Sequence, residues 1–560
     1  MSASPWLQRV GSGLLASAVL IGVITALARV VGFGRYLVFS GNVGATCVGT
    51  AYATANQLPN VLFEVAAGGA LAGAVVPLLA GPIASAGARE GSGRAEVDRI
   101  ASALITWVLV VLVPVSVLLA ALSVPLSKAL VGAEKCDGQQ ALAARMLLVF
   151  APQIALYGIG VVLSGILVAH RRFLAPALVP LLSSLVVIGA YRMFGVTAGG
   201  AQNRVAALPG SAEAWLAWGT TAGVVVMTLP LLVPVARLGV RLRPTLTFPP
   251  GVARRGLALA GAGVGALLAQ QVSVVVVLVL SNYRGGTGAL AVFQYVQAVY
   301  LLPYAVLAVP LATSAFPRLA ERAAAGDRAG FARTSSLSTR VVVVVSLLGT
   351  AGLVATAVPI TQVFAAGDRG DLSSMAEALT VMAPGLLGFG LIAHLGRALY
   401  ALEEGRAAAV ATVAGWLAVV AGSVVAVRLV PVDSVVPGMA WGNTFGMTVA
   451  GGLLLLALRR IAGPEALDGL SRVLGAGIVA AGLAGLAGRL TGTRLLDGLD
   501  SAGVPAAVLA GAAAGLVAVA VFAAVLALLD RRDLAVVMER IKPPTKGEPM
   551  ESGSAVKGEP

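Results

Sequence analysis

Two arginines lie six residues apart in the apolar stretch ALARVVGFGRYLVF, residues 26–39: Arg29 and Arg35, with Gly32 and Gly34 between them. A guanidinium is always charged and presents its N–H donors in a planar fork, so its chemistry is the binding of carboxylates and phosphates. At mid-bilayer such a group costs ~2.5–3.5 kcal/mol and therefore faces a cavity, a partner or a ligand. Six residues turn a straight helix through about 600°, leaving the two side chains ~120° apart. Paired glycines permit a bend that would aim both into one space, which makes Gly32 and Gly34 a candidate hinge. The other reading is that Arg35 snorkels to the interface and only Arg29 is buried.

A second chemical pattern follows in TAYATANQLPNVLFEVAAGGALAGAVVP, residues 50–77. Thr50, Thr54, Gln57, Asn60 and Glu64 recur at three- and four-residue steps, one face of a helix. Such a polar stripe in a membrane span faces water, a ligand or a counter-ion, and Glu64 is the natural partner for Arg29 or Arg35. The alternatives for Glu64 are a place near the surface or protonation. Gly68, Gly69 and Gly73 beyond it form a small-residue face for close helix packing. Gln270, Gln271 and Ser273 interrupt a later apolar run, and Gln294 and Gln297 lie three apart on the next. Neutral amides line a polar cavity or bond one helix to another. His394 and Arg397 share a face, as a proton relay or as interfacial anchors. The two His and two Cys sit at unrelated positions, with no metal-ligand spacing, and no cofactor is expected.

The elements that must position these groups are helices in a bilayer. The chain has 560 residues, 58% apolar and 11% charged, with runs such as ITWVLVVLVPVSVLLAALS (105–123). At ~20 apolar residues per crossing there is room for roughly fourteen helices. We place them at 13–38, 51–81, 100–123, 144–168, 174–196, 214–236, 255–282, 288–315, 339–362, 376–400, 405–428, 435–458, 471–490 and 503–529. The long continuous runs exclude a transmembrane barrel. The first is too long, and followed by too many others, to read as a cleaved signal peptide.

The net charge of +14 is a topology signal. Lys and Arg favour the N-terminal side of the alternating loops by roughly three to one, which puts both termini in the cytoplasm of a multi-pass cell-membrane protein. Anionic lipids are the partners this surplus implies; nucleic acid is not. A basic, proline-containing segment, Arg237 to Arg255, divides the first twelve helices into residues 13–236 and 237–460, after a short tail, 1–12. Residues 461–530 hold two further apolar helices, and 531–560 form a polar, Pro/Gly-rich disordered tail. A second basic stretch, 317–340, reads as an amphipathic connector on the cytoplasmic interface. Cys47 and Cys136 both fall on the outer side, as one disulfide or as two unpaired thiols. No phosphate-binding loop is present, so any work must come from gradients or membrane potential.

ARVVGFGRYLV, QLPNVLFEVAAGGALAGAVVPLL, SGILVAHRRFLAPALVPLLSSLVVIGA (164–190), LLPYAVLAVPLATSAFPRLAER (301–322) and GRALYALEEGRAA (396–408) together resemble the MurJ/MviN lipid II flippase family. The resemblance implies an all-α polytopic fold of fourteen helices: two six-helix lobes around a central cavity plus two C-terminal helices, as in multidrug and polysaccharide exporters. It implies a cavity for the pyrophosphate and sugars, and a groove toward the last two helices for the polyprenyl tail. The family's two first-helix arginines fall on Arg29 and Arg35. The acid that commonly follows is replaced by Tyr36, a basic pair in the second helix by Phe63 and Glu64, a later glutamate by Gly68, and a helix-eight arginine by Ala298.

The expectation is a flippase moving an undecaprenyl-pyrophosphate-linked peptidoglycan precursor to the outer leaflet by alternating access, without catalysis. Cell-wall synthesis and division proteins are the partners such a role implies. Its binding residues would be Arg29, Arg35, Gln57, Asn60, Glu64, Gln270, Gln271 and Gln297. Export of another lipid-linked glycan or of drugs, and a non-transporting envelope scaffold, stand as alternatives.

Overall fold

The computed structural model describes residues 5–65, 69–86, 92–252, 254, 264–498 and 503–530. Its regular structure is helical. The N-terminal lobe comprises α1 (Pro5–Asn42), α2 (Cys47–Phe63), α3 (Gly69–Ala86), α4 (Ser92–Ala121), α5 (Ser123–Val131), α6 (Gln139–Phe150), α7 (Gln153–Ala169), α8 (Leu174–Thr197), α9 (Gly210–Thr228) and α10 (Leu232–Arg237). The C-terminal lobe comprises α11 (Val264–Tyr283), α12 (Ala289–Pro303), α13 (Val309–Ala324), α14 (Arg328–Ala365), α15 (Met375–Met382), α16 (Gly385–Ala401), α17 (Gly405–Leu429) and α18 (Val435–Ala462). Two last helices, α19 (Leu470–Gly498) and α20 (Val504–Leu529), pack against α14 and each other.

Twelve helices are long and apolar enough to cross a membrane, thirteen when α15 and α16, bent by 44°, form one span. The difference from fourteen arises at the second expected span, which is built from α2 and α3, with a shorter apolar segment, Ala74–Ser85. Gly68 and the C-terminal tail lie outside the described residues. The 317–340 connector is the ends of α13 and α14 around a tight turn, where Asp327 caps α14 by accepting from the Gly330 N–H at 2.8 Å and pairs with Arg322. A one-residue acidic cap turns the chain sharply enough that no separate surface helix forms.

Exposed apolar side chains on α4 (Val110, Val117, Leu118) and α20 (Leu509, Leu516, Leu528) mark faces for lipid. Between helices, small residues allow close approach: on α18, Gly442 and Gly446 meet α17 so tightly that a Cβ at Gly442 would sit 2.1 Å from Ser423 Oγ. The main hydrophobic core joins residues of both lobes, including Phe39, Tyr52, Phe150, Tyr295, Phe364 and Met439. A second core unites the C-terminal lobe with α19 and α20.

The molecule has two distinguishable ends. One carries the α1–α2, α5–α6, α8–α9 and α11–α12 loops and residues 366–374, drawn together by bonds such as Gln202 Nε2 to Asn42 O (3.2 Å) and Arg369 Nη1 to Gln202 Oε1 (2.8 Å). Cys47 and Cys136 are joined here in a disulfide, Cα–Cα 6.1 Å. The opposite end carries the basic segment after α10, whose extended backbone lies along α4: Asp98 accepts from the Arg241 N–H, Ser102 from the Arg243 N–H, and Trp107 Nε1 donates to Leu246 O.

Candidate functional site

α1 runs unbroken through Gly32 and Gly34, so in this state the glycines do not bring the two arginines together. Arg35 is half-buried and lines a cavity of about 300 Å³ between the lobes. Arg29, one and two-thirds turns earlier, is exposed and does not line it. Its charge, with that of Arg397 on α16, bears on the Tyr304 hydroxyl, at the π-helical turn Tyr304–Ala308 between α12 and α13. His394 is buried on α16, its Nε2 3.0 Å from Ser338 Oγ, inside the lobe and away from any interface.

The Arg35 cavity is polar because aromatic hydroxyls and amides converge on it. Tyr36, Tyr52, Tyr157 and Tyr191 line it, and the Arg35 guanidinium stands 5.8 Å from the Tyr36 ring centre. Tyr52 and Tyr191 share a hydrogen bond of 2.8 Å, and Tyr52 meets Thr220 Oγ1 at 3.0 Å. Gln57 and Asn60 enter from α2, Gln294 and Gln297 from α12. A permanent cation among neutral donors favours an anion.

The α2 stripe is divided in its use. Thr50 Oγ1 accepts from the Gly288 N–H (2.9 Å), Thr54 Oγ1 from Asn282 Nδ2 (2.9 Å) and Gln57 Oε1 from Gln294 Nε2 (3.1 Å), so three successive steps bond the opposite lobe. Gly288, at φ +83°, allows this: a Cβ there would stand 2.2 Å from Ala45 O. Only the later members face space. Asn60 lines the Arg35 cavity and also a neighbouring chamber of about 550 Å³ within the N-terminal lobe, together with Tyr157. That chamber holds Glu64 among apolar neighbours, Phe63, Val76, Val161, Val179 and Met227. No ion pair joins Glu64 to either arginine among the described residues, contrary to the pairing expected from the sequence. Phe63, where the family keeps a cation, stacks on Tyr157 with ring centres 4.9 Å apart. Gln270 and Gln271 lie on α11 and line neither space; Gln271 is buried and Gln270 O accepts from Ser273 Oγ.

Beyond Gln57, toward the disulfide end, the lobes are joined by a carboxylate that the sequence reading did not single out. Asp368 Oδ1 accepts from the Ala45 and Gly370 N–H groups, both at 2.8 Å, and Oδ2 from the hydroxyls of Ser40 (2.8 Å) and Tyr295 (3.1 Å). Its only signal in the sequence is the acidic, glycine-bearing loop AAGDRGDLSS. Lys135, in the disulfide-closed loop, donates across the same seam to Gly285 O, and its partial burial lowers the pKa of the ammonium.

A cavity between two six-helix lobes, closed at one end, is the geometry of an exporter. The structure is similar to that of lipid II flippase MurJ in an inward closed conformation, with TM-score 0.68 and 19% identity over 91% of this chain and 99% of that one. A multidrug MATE transporter in an inward-facing conformation aligns with TM-score 0.62 and 16% identity over 80% and 96% of the two chains. In sequence, the lipid II flippase MurJ of Burkholderia cenocepacia is 26% identical over 400 residues, 70% of this chain and 74% of that one. A probable lipid II flippase MurJ of Rhizobium tropici is 25% identical over 433 residues, 75% and 76% of the two chains. The family model described as lipid II flippase MurJ matches residues 39–495, well over half of the chain. The protein therefore belongs to the MurJ lipid II flippase family.

Proposed function

We propose that this protein moves lipid II across the membrane in which its helices lie, and that Arg35 holds the pyrophosphate. The observation that carries the reading is the Arg35 cavity: one fixed cation, half-buried, ringed by donors from both lobes and set between them. Pyrophosphate offers several anionic oxygens, and a guanidinium with neighbouring amides and phenols meets them as charge-assisted and neutral donors. Gln57, Asn60 and Gln297 supply further polar contacts. Arg29 and Arg397, both bearing on Tyr304, form a second basic position toward the other end of the lobe interface. They stand in for the cations that Phe63 and Ala298 do not provide.

The connector end is cytoplasmic in this reading. Its support is twofold: the basic segments gather there, and the disulfide lies at the opposite end, the side where oxidising conditions keep cystine intact. Lipid II enters from the connector side; rocking of the lobes then exposes the cavity to the disulfide side. Anionic lipids contact the basic connector and the Arg29–Arg397 side.

The test is complementation of a lipid II flippase depletion strain. The unaltered protein should restore growth. Arg35→Ala should abolish rescue while the protein still inserts, and Arg29→Ala should impair it. Full rescue by a protein carrying both substitutions would refute the assignment.

A further inference from the structure

The Arg35 cavity is small for the head group it is assigned. About 300 Å³ lies at the low end of ligand sites and accommodates a pyrophosphate, so the sugars and peptide of lipid II must extend beyond it. The adjoining chamber is larger, about 550 Å³, and shares Asn60 and Tyr157 with the first. Its lining is apolar apart from Asn60, Ser164, Tyr157 and one ionisable group, Glu64. Glu64 is half-buried and forms no ion pair among the described residues. Two joined chambers thus carry opposite charges, a guanidinium in one and a carboxylate in the other.

Such a pair is complementary to a ligand that is itself bipolar: anionic at one point, cationic a short distance away. Lipid II has that character, because its peptide contains a diamino acid whose side chain ends in a free primary amine, protonated at neutral pH. A carboxylate in an apolar chamber is the group that recognises an ammonium. The Phe63–Tyr157 stack, ring centres 4.9 Å apart, adds aromatic faces on which a cation also rests favourably. An anion-only ligand would gain nothing from Glu64 and would be repelled by it.

Resting on the flippase reading above, we propose that the Glu64 chamber is a subsite for the primary ammonium of the lipid II peptide, and that Glu64 makes the protein selective for amine-bearing precursors. Burial of an ion is repaid only by a partner of opposite sign. The chamber therefore favours a head group that brings its ammonium over one in which that nitrogen is an uncharged amide.

The experiment measures binding of lipid II, and of lipid II acetylated on the side-chain amine, to the purified full-length protein and to its Glu64→Gln variant. Acetylation should weaken binding to the unaltered protein about tenfold, ~1.4 kcal/mol. Glu64→Gln should weaken native lipid II by a similar factor and bind both forms equally. Indifference of the unaltered protein to acetylation overturns the ammonium subsite and leaves the flippase reading standing. The same discrimination in Glu64→Gln as in the unaltered protein overturns the role of Glu64. Failure of the unaltered protein to bind either form refutes the flippase reading itself. The acetylation arm needs no variant, so a folding defect in Glu64→Gln cannot decide the outcome.

Discussion

The two ends of the interface between the lobes are built differently. At the disulfide end, side chains and loop backbone cross from lobe to lobe: Asp368 binds Ser40 and Ala45, Arg369 binds Gln202, Asn282 binds Thr54 and Leu130 O, and Tyr283 donates to Ala129 O. At the connector end, the N-terminal lobe bonds the connector's own segment, Leu238 to Thr247, which is covalently continuous with both lobes. The first arrangement is a closure that must come apart for the cavity to open there. The second is a tether that stays engaged while the lobes rock. Each bond in the closure contributes about 0.5–1.5 kcal/mol net, because water replaces it on opening. A set of such bonds is therefore firm collectively and reversible singly.

The largest expected effect concerns the cavity that this closure seals. Arg35→Ala should eliminate lipid II transport, and Arg35→Lys should restore only part of it, since an ammonium lacks the fork that grips two phosphate oxygens at once. Next is the closure itself. Asp368→Ala removes the acceptor of four hydrogen bonds and leaves the Ala45 and Gly370 N–H groups without it. At about 1–3 kcal/mol for each buried donor left unmet, the equilibrium should move at least tenfold toward the state open at the disulfide end. Labelling of a cysteine introduced at Gln294, applied from that side, measures the shift; an unchanged labelling rate would remove Asp368 from the closure.

The disulfide should affect stability more than transport, because Cys47 and Cys136 belong to the same lobe. Joining residues 89 apart, it restricts the unfolded chain, a contribution of about 2–4 kcal/mol in typical cases. Cys47→Ser with Cys136→Ser should lower Tm in a thermal melt and leave transport largely intact. Abolished transport at unchanged Tm would assign the disulfide to the moving parts.

Asp371 marks the smallest effect. The N–H and hydroxyl of Ser373 hold its carboxyl below the ordinary carboxylate range. Its contribution is complete above the unfolded carboxylate pKa and is lost as pH falls through the depressed folded one. Because the group is largely solvated, Asp371→Asn should flatten the acid limb of Tm against pH only slightly.

Much of this was legible in the sequence, for physical reasons. Runs of apolar residues longer than a bilayer is thick can be little else than spanning helices, and a guanidinium inside one must face a cavity. Arg35, Gln57, Asn60 and Gln297 meet in that cavity accordingly. What escaped was set by non-local packing. Thr50, Thr54 and Gln57 share a helix face with Asn60 and Glu64, yet the former bond the opposite lobe and the latter face open space. Helix periodicity gives the face and not its partner. Glu64 looked like a counter-ion for an arginine on α1, but no ion pair joins them; the Glu64 chamber and the Arg35 cavity share Asn60 and Tyr157. Gly32 and Gly34 permit a break, and α1 passes through them without one. Asp368 sits in a loop, where no periodicity announces a buried network, and Arg397 gains meaning only from a shared neighbour, Tyr304, with Arg29.

The central claim is that lipid II crosses through the Arg35 cavity. Its most direct test is movement of lipid II between leaflets of vesicles containing the purified protein, set beside vesicles containing Arg35→Ala at equal incorporation. The account predicts transfer with the unaltered protein and background transfer with the variant. Equal transfer by both would contradict it.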